Sequence, residues 1–249
     1  MKITASAIGL LAAIPSVLGI WPIPRTLKEG SSNSEVWWVN ITPSGNVGPI
    51  VSGAIQRYQD IINKESFQSP VTWNVTQVPT SGSFGGVAVS VENTNDALNL
   101  ETDESYTLDI PVSGQATLKA KTPYGALRGL ETLSQLVVSN GASKAIRNTP
   151  IHIEDSPFFP HRGLQIDTSR NYLSVSMIKR TLDAMSYNKM NVLHWHIVDS
   201  QSWPVESKTF PDLQKNGAYS AKETYSHVQV KDIIQYAKNR GIRVIPEFD

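Results

Sequence analysis

Residues 238–249 read KNRGIRVIPEFD, and this stretch decides the class of fold. The basic residues ahead of Gly241 are typical of the last turn of a helix that ends at a glycine. The short, largely apolar run from Ile242 to Phe248 is typical of a buried strand. The stretch therefore predicts a helix that leads into a strand, with Asp249 at the carboxyl end of that strand.

The same alternation extends back along the chain to residue 163. Strands and helices are predicted in the order GLQID (163–167), SVSMIKRTLDAMSYNKM (174–190), NVLHWHI (191–197), VQVKDIIQYAKNRG (228–241) and IRVIPEF (242–248). Strands that alternate with helices predict a parallel sheet. In a barrel enzyme, the long loop that leaves the second strand would lie on the catalytic face.

Three acidic residues occupy equivalent places after these strands, namely Asp167, Asp199 and Asp249. Carboxyl ends of parallel strands share one edge, so we expect the three carboxylates to converge on one pocket. Arg170 lies on the same rim and could bind sugar hydroxyls or a carboxylate, and Trp203 could provide an apolar platform for a sugar ring. An acid after a strand can instead be the N-cap of the next helix. That alternative stays open for Asp167 and is weaker for Asp199, whose loop is long.

His194 and His196 form an H-x-H pair on the second strand, so both side chains face the same way. The pair could bind zinc, as in metal-dependent barrel hydrolases. Such a site needs further ligands from later strands, and His152, His161 and His227 do not occupy matching strand ends. The interpretation we favour is two histidines packed and hydrogen-bonded inside a barrel.

The sequence before the linker EDSPFFPHR (154–162) does not show the regular alternation of strands and helices. An amphipathic helix is predicted over 48–67, strand patterns over 35–42, 85–93 and 106–120, and a second helix after Thr122 and Pro123. We therefore divide the chain into an α+β N-terminal domain over residues 20–158 and a β/α domain over residues 159–249.

Composition excludes several classes of protein. The 249 residues carry 22 basic and 22 acidic side chains without a block of one sign, so no nucleic-acid partner is indicated. There is no cysteine, so disulfides and thiolate metal sites are excluded. Residues 1–19 have the layout of a secretory signal peptide, and no second long apolar run predicts a membrane span. Sequons at Asn40 and Asn74 agree with a secreted, extracellular glycoprotein.

The barrel segments closely resemble a known family. HRGLQIDTSRNYLSVSMIKRTLDAMSYNKMNVLHWHIVDSQSWPVES (161–207) and YSHVQVKDIIQYAKNRGIRVIPEFD (225–249) resemble the start of the catalytic barrel of β-N-acetylhexosaminidases, glycoside hydrolase family 20, of the secreted fungal type. SYTLDI (105–110) and ATLKAKTPYGALRGLETLSQL (116–136) resemble the small non-catalytic N-terminal domain of that family. The implied fold is an α+β domain followed by the first three β/α units of an incomplete (β/α)8 TIM barrel.

The resemblance also implies an activity. Family members remove terminal non-reducing N-acetyl-D-hexosamine from chito-oligosaccharides and glycans by substrate-assisted retaining catalysis, without a metal or organic cofactor. By motif match, Arg170 would bind hydroxyls of the sugar, Asp199 would hydrogen-bond a histidine that contacts the general acid, and Asp249 would line the pocket. Arg162 and Asp167 would support the first strand. A homodimer of the full-length family protein is one possible assembly.

The resemblance has a gap at the catalytic groups. The family's general-acid Glu and its neighbouring, acetamide-orienting Asp belong to a fourth strand that we do not find in these 249 residues. We therefore expect the chain to be a fragment or a truncated gene model, cut inside its active site, that does not hydrolyse substrate alone. The alternatives are a non-catalytic short product that partners a full-length homologue and, from the H-x-H pair alone, a metal-dependent barrel hydrolase.

Overall fold

The structure is a computed structural model, and it describes residues 19–64, 77–95, 97–140 and 143–249. The predicted signal peptide, apart from Gly19, lies outside the described residues, as does the sequon at Asn74. The other sequon asparagine, Asn40, is exposed. Within the part of the chain that is described, no helix has the length and apolar character needed to cross a membrane.

The N-terminal unit is a mixed sheet with two helices. Its elements are β1 (Thr26–Val36), β2 (Ile41–Pro43), α1 (Gly48–Lys64), β3 (Gly82–Val91), β4 (Tyr106–Ile110), β5 (Gly114–Ala120), α2 (Pro123–Leu136), β6 (Val137–Asn140) and β7 (Ser143–Asp155). The strand order is β1-β3-β5-β4-β7-β6, with β2 beside β3 and a further antiparallel pairing of β1 with β7. Side chains from both helices and from the sheet form one apolar core.

The helices of this unit begin and bury their faces as the sequence predicts. Thr122 is the N-cap of α2, where its side chain accepts a hydrogen bond from the Gly125 amide, and Pro123 takes the first helical position. In α1 the predicted apolar stripe, including Ile50, Ala54 and Tyr58, is buried. The two helices therefore pack on the sheet, and their polar side chains also reach the C-terminal part of the chain: Arg57 of α1 donates to the Asn239 carbonyl, and Arg128 of α2 donates to the Gly241 carbonyl.

The C-terminal unit is a three-stranded parallel sheet in the order β10-β9-β8. Its elements are β8 (Gly163–Asp167), α3 (Val175–Tyr187), β9 (Val192–Val198), α4 (Pro211–Gly217), α5 (His227–Lys238) and β10 (Arg243–Phe248). Ile178, Leu182 and Met185 of α3 are buried, as the spacing predicts, and pack with Trp195 and with Ile233 of α5 in a second apolar core. The predicted fold class, an α+β domain followed by three β/α units, is confirmed.

Candidate active site

The carboxyl ends of β8, β9 and β10 form a rim that carries the predicted acids. Residues Asp167, His196 and Glu247 lie side by side in the strand register, one from each strand. Their side chains lie on the face opposite to Trp195, which packs against the helices, because side chains alternate along a strand. Asp199 follows β9 and Asp249 follows β10, so the acids predicted from the sequence share one edge.

Asp167 is held by its own loop and is not the N-cap of the next helix. Its carboxylate accepts hydrogen bonds from the backbone amides of Ser169 (3.1 Å) and Arg170 (3.0 Å) and from Arg170 Nε (2.6 Å). Ser174 is the N-cap of α3. Burial opposes ionisation of Asp167, but these hydrogen bonds outweigh it and lower the pKa of the carboxyl. Asp167 therefore fixes Arg170 on the rim.

Arg170 and Asp199 face each other across the rim. Arg170 Nε lies 3.6 Å from Asp199 Oδ2, and the Arg170 side chain is 55% exposed, so the guanidinium can still reach a ligand. The Ser200 amide donates to the Asp199 carboxylate, and this hydrogen bond is the main cause of a lowered pKa of Asp199. The Asp199 carboxylate is therefore ionised at neutral pH, and together with the Arg170 guanidinium it presents an acceptor and a donor to the same space.

His194 and His196 both contact the carboxylate of Glu247, a residue that the sequence analysis did not identify. Glu247 Oε2 lies 2.7 Å from His194 Nε2 and 3.1 Å from His196 Nδ1. Hydrogen bonds from His196 first, and then from His194, lower the pKa of Glu247. The strand register could have revealed Glu247, because it lies two residues before Asp249 and so shares a face with the row of rim side chains.

The hydrogen-bonded interpretation of the histidines is the one that the structure supports. His196 is buried and is hydrogen-bonded through Nδ1, whereas its Nε2 lies 3.3 Å from Asp199 Oδ2 without the geometry of a hydrogen bond. Ligand atoms of His196, Glu247 and Asp249 lie within 4.8 Å of one another, which is close enough to hold a cation. His194 is outside this trio, so the two histidines of the pair do not form the joint zinc site considered from the sequence.

Several buried polar atoms of the rim have no hydrogen-bond partner among the described residues. They are His196 Nε2, Ser202 Oγ and Trp203 Nε1. Trp203 is half-buried, and its ring centroid is 5.9 Å from that of Phe248, the last residue of β10. Buried groups of this kind are costly unless something binds them, so their concentration here favours a ligand site.

An open groove continues from the rim along the loop after β9. It has a volume of about 810 Å³ and lies between the segment from Asp199 to Trp203 and the helix α4. Phe210 and Leu213 line its far wall, and Phe210 is largely exposed. The groove joins charged groups at one end to apolar side chains at the other, a combination that suits a sugar with its substituents.

Arg162 lies far from this rim. It precedes β8, and its guanidinium donates to the Lys189 and Phe159 carbonyls and to the Glu104 carboxylate. It belongs to the junction with the N-terminal unit, at the opposite end of the strand from Asp167. Any support that Arg162 gives to β8 therefore acts at the amino end of that strand.

Comparison with known proteins agrees with this architecture. Residues 159–249 match the family described as "Glycosyl hydrolase family 20, catalytic domain", and residues 20–136 match the family described as "beta-acetyl hexosaminidase like". The chain is similar to the X-ray structure of a chitobiase from Flavobacterium johnsoniae, with a TM-score of 0.76 and 29% identity over 93% of this chain and 34% of that one.

Curated relatives give the same result. "Beta-hexosaminidase subunit beta" of Homo sapiens is 42% identical over 246 residues, which are 92% of this chain and 42% of the relative. "Beta-hexosaminidase" of Emericella nidulans is 49% identical over 164 residues, 66% of this chain and 27% of the relative. The chain thus spans less than half the length of these relatives. The matches to both halves show that the chain belongs to glycoside hydrolase family 20.

Proposed function

We propose that the protein carrying this sequence removes terminal, non-reducing N-acetylhexosamine from chito-oligosaccharides and glycans. The observation that carries the proposal is the rim, where Arg170, Asp167 and Asp199 form a charged, partly open cluster in a family 20 barrel segment. The curated relatives are named as beta-hexosaminidases, which supports the same substrate class.

The proposed reaction uses the substrate as its own nucleophile. The acetamido oxygen forms a bond to the anomeric carbon while the glycosidic bond breaks, and the leaving oxygen takes a proton from a carboxylic acid. Water then attacks the anomeric carbon, the bond from that carbon to the acetamido oxygen breaks, and the carboxylate takes a proton from the water, so the anomeric configuration is retained. In this scheme Arg170 binds hydroxyls of the terminal sugar and Asp249 lines the pocket, while Asp199 orients a histidine beside the general acid. The scheme requires no metal or organic cofactor.

Two further parts of the proposal concern the chain and its setting. We infer that residues 1–249 do not hydrolyse substrate by themselves, because residues 159–249 contain no Asp followed directly by Glu, and the adjacent pair Asp103–Glu104 lies in the N-terminal unit. Purified 249-residue chain that turned over substrate would contradict this inference. We also infer secretion, with glycans on Asn40 and Asn74; the exposure of Asn40 is compatible with it.

The test uses the natural gene product at its own length, purified and measured for intact mass after deglycosylation. We expect it to hydrolyse aryl N-acetyl-β-glucosaminide and to leave aryl β-glucoside, which lacks the acetamide nucleophile, nearly untouched. Activity should persist in chelator. Arg170→Lys should lower kcat/KM, whereas Arg180→Lys on the exposed face of α3 should not. Equal cleavage of the two aryl sugars, or loss of activity in chelator, would contradict the proposal.

A further inference from the structure

Glu104 of the N-terminal unit lies at the junction with the barrel strands and is 6% exposed. Its Oε2 accepts hydrogen bonds from Arg128 Nε and from Arg162 Nη2, both at 2.6 Å. Its Oε1 accepts one from Asn191 Nδ2 at 2.8 Å. One buried carboxylate therefore joins a helix of its own unit to two segments of the barrel unit.

Two arginine side chains at this junction, Arg128 and Arg162, need the Glu104 carboxylate as their counter-charge. Burial by itself would raise the pKa of the Glu104 carboxyl, but the Arg128 and Arg162 guanidinium groups outweigh it and lower the pKa. Arg128 is 3% exposed, and without Glu104 its charge and that of Arg162 would lie together in a protein interior. The carboxylate is thus the counter-charge of both arginines.

The contacts of Glu104 and Arg128 reach the start of each barrel strand. Arg162 lies just before β8 and Asn191 just before β9. Arg128 donates to the Arg240 carbonyl (3.3 Å) and to the Gly241 carbonyl (2.8 Å), which precede β10. Two residues of one unit therefore hold the amino ends of β8, β9 and β10.

Asn191 connects the three strand starts to one another. Its side-chain oxygen accepts from the Arg162 amide at 2.9 Å, its backbone amide donates to the Arg162 carbonyl, and its carbonyl accepts from the Arg243 amide. Its Nδ2 also donates to the Pro160 carbonyl at 2.9 Å. Asn191 is 3% exposed, and every one of these hydrogen bonds fixes where β9 begins relative to its neighbours.

The position of Glu104 is set by the N-terminal unit. The Thr122 hydroxyl, at the N-cap of α2, donates to the carbonyl of Asp103. Gly125 in the first turn of α2 lies so close to the Ser105 carbonyl that a Cβ there would overlap it. The loop that carries Glu104 is therefore seated on the start of α2, and Arg128 follows one turn later in the same helix.

We propose that Glu104 is a positioning residue that sets the register of β8, β9 and β10 and thereby the arrangement of the rim acids. A strand such as β8 spans roughly 15 Å, at about 3.3 Å per residue. A slip by one residue would turn the side chains at Asp167 and His196 to the opposite face. The effect on catalysis rests on the proposed function, but the effect on the strands does not.

The test compares Glu104→Gln with Leu118→Ala in the natural gene product. Leu118 is fully buried in β5, so its truncation destabilises the N-terminal unit without touching the strand starts. Each variant is measured below its melting transition for kcat/KM and for deuterium uptake over residues 163–170, 192–203 and 243–249. We expect Glu104→Gln to lower kcat/KM on the order of tenfold to a hundredfold and to accelerate exchange in these segments. Leu118→Ala should do neither.

Arg128→Lys keeps the test decisive if Glu104→Gln does not fold. Lysine keeps the charge beside Glu104 but cannot span both carbonyls before β10, so exchange should accelerate in 243–249 and not in 163–170. Wild-type exchange in Glu104→Gln, or equal acceleration in Leu118→Ala, would overturn the proposal. A wild-type protein without hexosaminidase activity would overturn the proposed function alone, because the exchange comparison would still decide the role of Glu104.

Discussion

The two ends of the three barrel strands use similar residue types for opposite purposes. At the amino ends, Glu104, Arg128 and Asn191 are buried, and their side chains are bound to one another or to backbone carbonyls. At the carboxyl ends, Arg170 and Glu247 are half-exposed or exposed, and Trp203 keeps a buried nitrogen without a partner among the described residues.

This difference separates structural polar groups from groups that are ready for a ligand. A buried network whose members are all bonded fixes one arrangement of the backbone and has little left to offer a ligand. A cluster with unpaired buried atoms and an exposed guanidinium can gain hydrogen bonds when a sugar arrives. Arg243 is an exception, since its buried Nε and Nη2 have no partner within the described part although it begins β10. By strand alternation it lies on the open sheet face rather than in the junction.

Arg128→Met should produce the largest effect on stability. It leaves the Glu104 carboxylate buried with only Arg162 and Asn191 and removes the link to β10. Breaking a buried ion pair in this way costs roughly 3–5 kcal/mol of unfolding free energy. Denaturant unfolding would measure it. Lys121→Met, which removes the exposed ion pair to Asp103 in the same loop, is the control and should change little. Similar losses of unfolding free energy in the two variants would contradict the difference between the buried network and the exposed ion pair.

Asp199→Asn should have the next largest effect, and on binding instead of stability. The substitution removes the charge that faces Arg170 and His196. We expect the affinity of the natural gene product for N-acetylglucosamine to fall roughly tenfold to a hundredfold, because the Arg170 guanidinium that binds the sugar hydroxyls loses the charged partner that orients it. Calorimetric titration would measure it. Asp60→Asn, on α1 of the N-terminal unit and away from the groove, is the matched control and should leave the affinity unchanged. A variant that lost stability but kept its affinity would place Asp199 with the structural groups.

Trp203→Phe should have a smaller effect on the same affinity. Phenylalanine keeps the aromatic contact with Phe248 but removes Nε1, which has no partner among the described residues. The loss expected for one neutral hydrogen bond is roughly threefold to tenfold. Trp38→Phe, at an exposed position of the N-terminal unit, should leave the affinity unchanged. An unchanged affinity in Trp203→Phe would mean that the indole nitrogen does not contact the sugar.

Glu131→Gln should give the smallest change, and its sign depends on pH. Burial raises the pKa of Glu131, whose neighbours are the Tyr58 hydroxyl and the Gln135 amide instead of two arginines. The folded state therefore binds this proton more tightly than the unfolded state, and stability falls as pH rises from about 4.3 through the folded pKa. Glu131→Gln should exceed the parent in stability at pH 8 and match it near pH 4. Thermal unfolding at both values would measure it, and a parent that is more stable at pH 8 would contradict the assignment.

The barrel segments were predictable because their periodicity is local. Apolar spacing predicted α3, α5 and the three strands to within a few residues, and the acids after strands identified the rim. The strands β1 and β7 were missed, since their pairing joins residues more than a hundred positions apart and β1 is rich in Gly, Ser and Asn. Glu104 was missed for a related reason. It lies in a loop, and only the tertiary contact with Arg162 and Asn191 gives it a role.

The most direct test of the separation between the two ends is an NMR titration of the natural gene product with indole-labelled tryptophan. N-acetylglucosamine is added, with glucose as the control sugar. We predict that the Trp203 indole signal moves with N-acetylglucosamine and less with glucose, while the exposed Trp37 and Trp38 do not move. A Trp203 signal that stays unchanged at saturating sugar, or a shift centred on Trp37 and Trp38, would contradict the assignment of the rim as the sugar site.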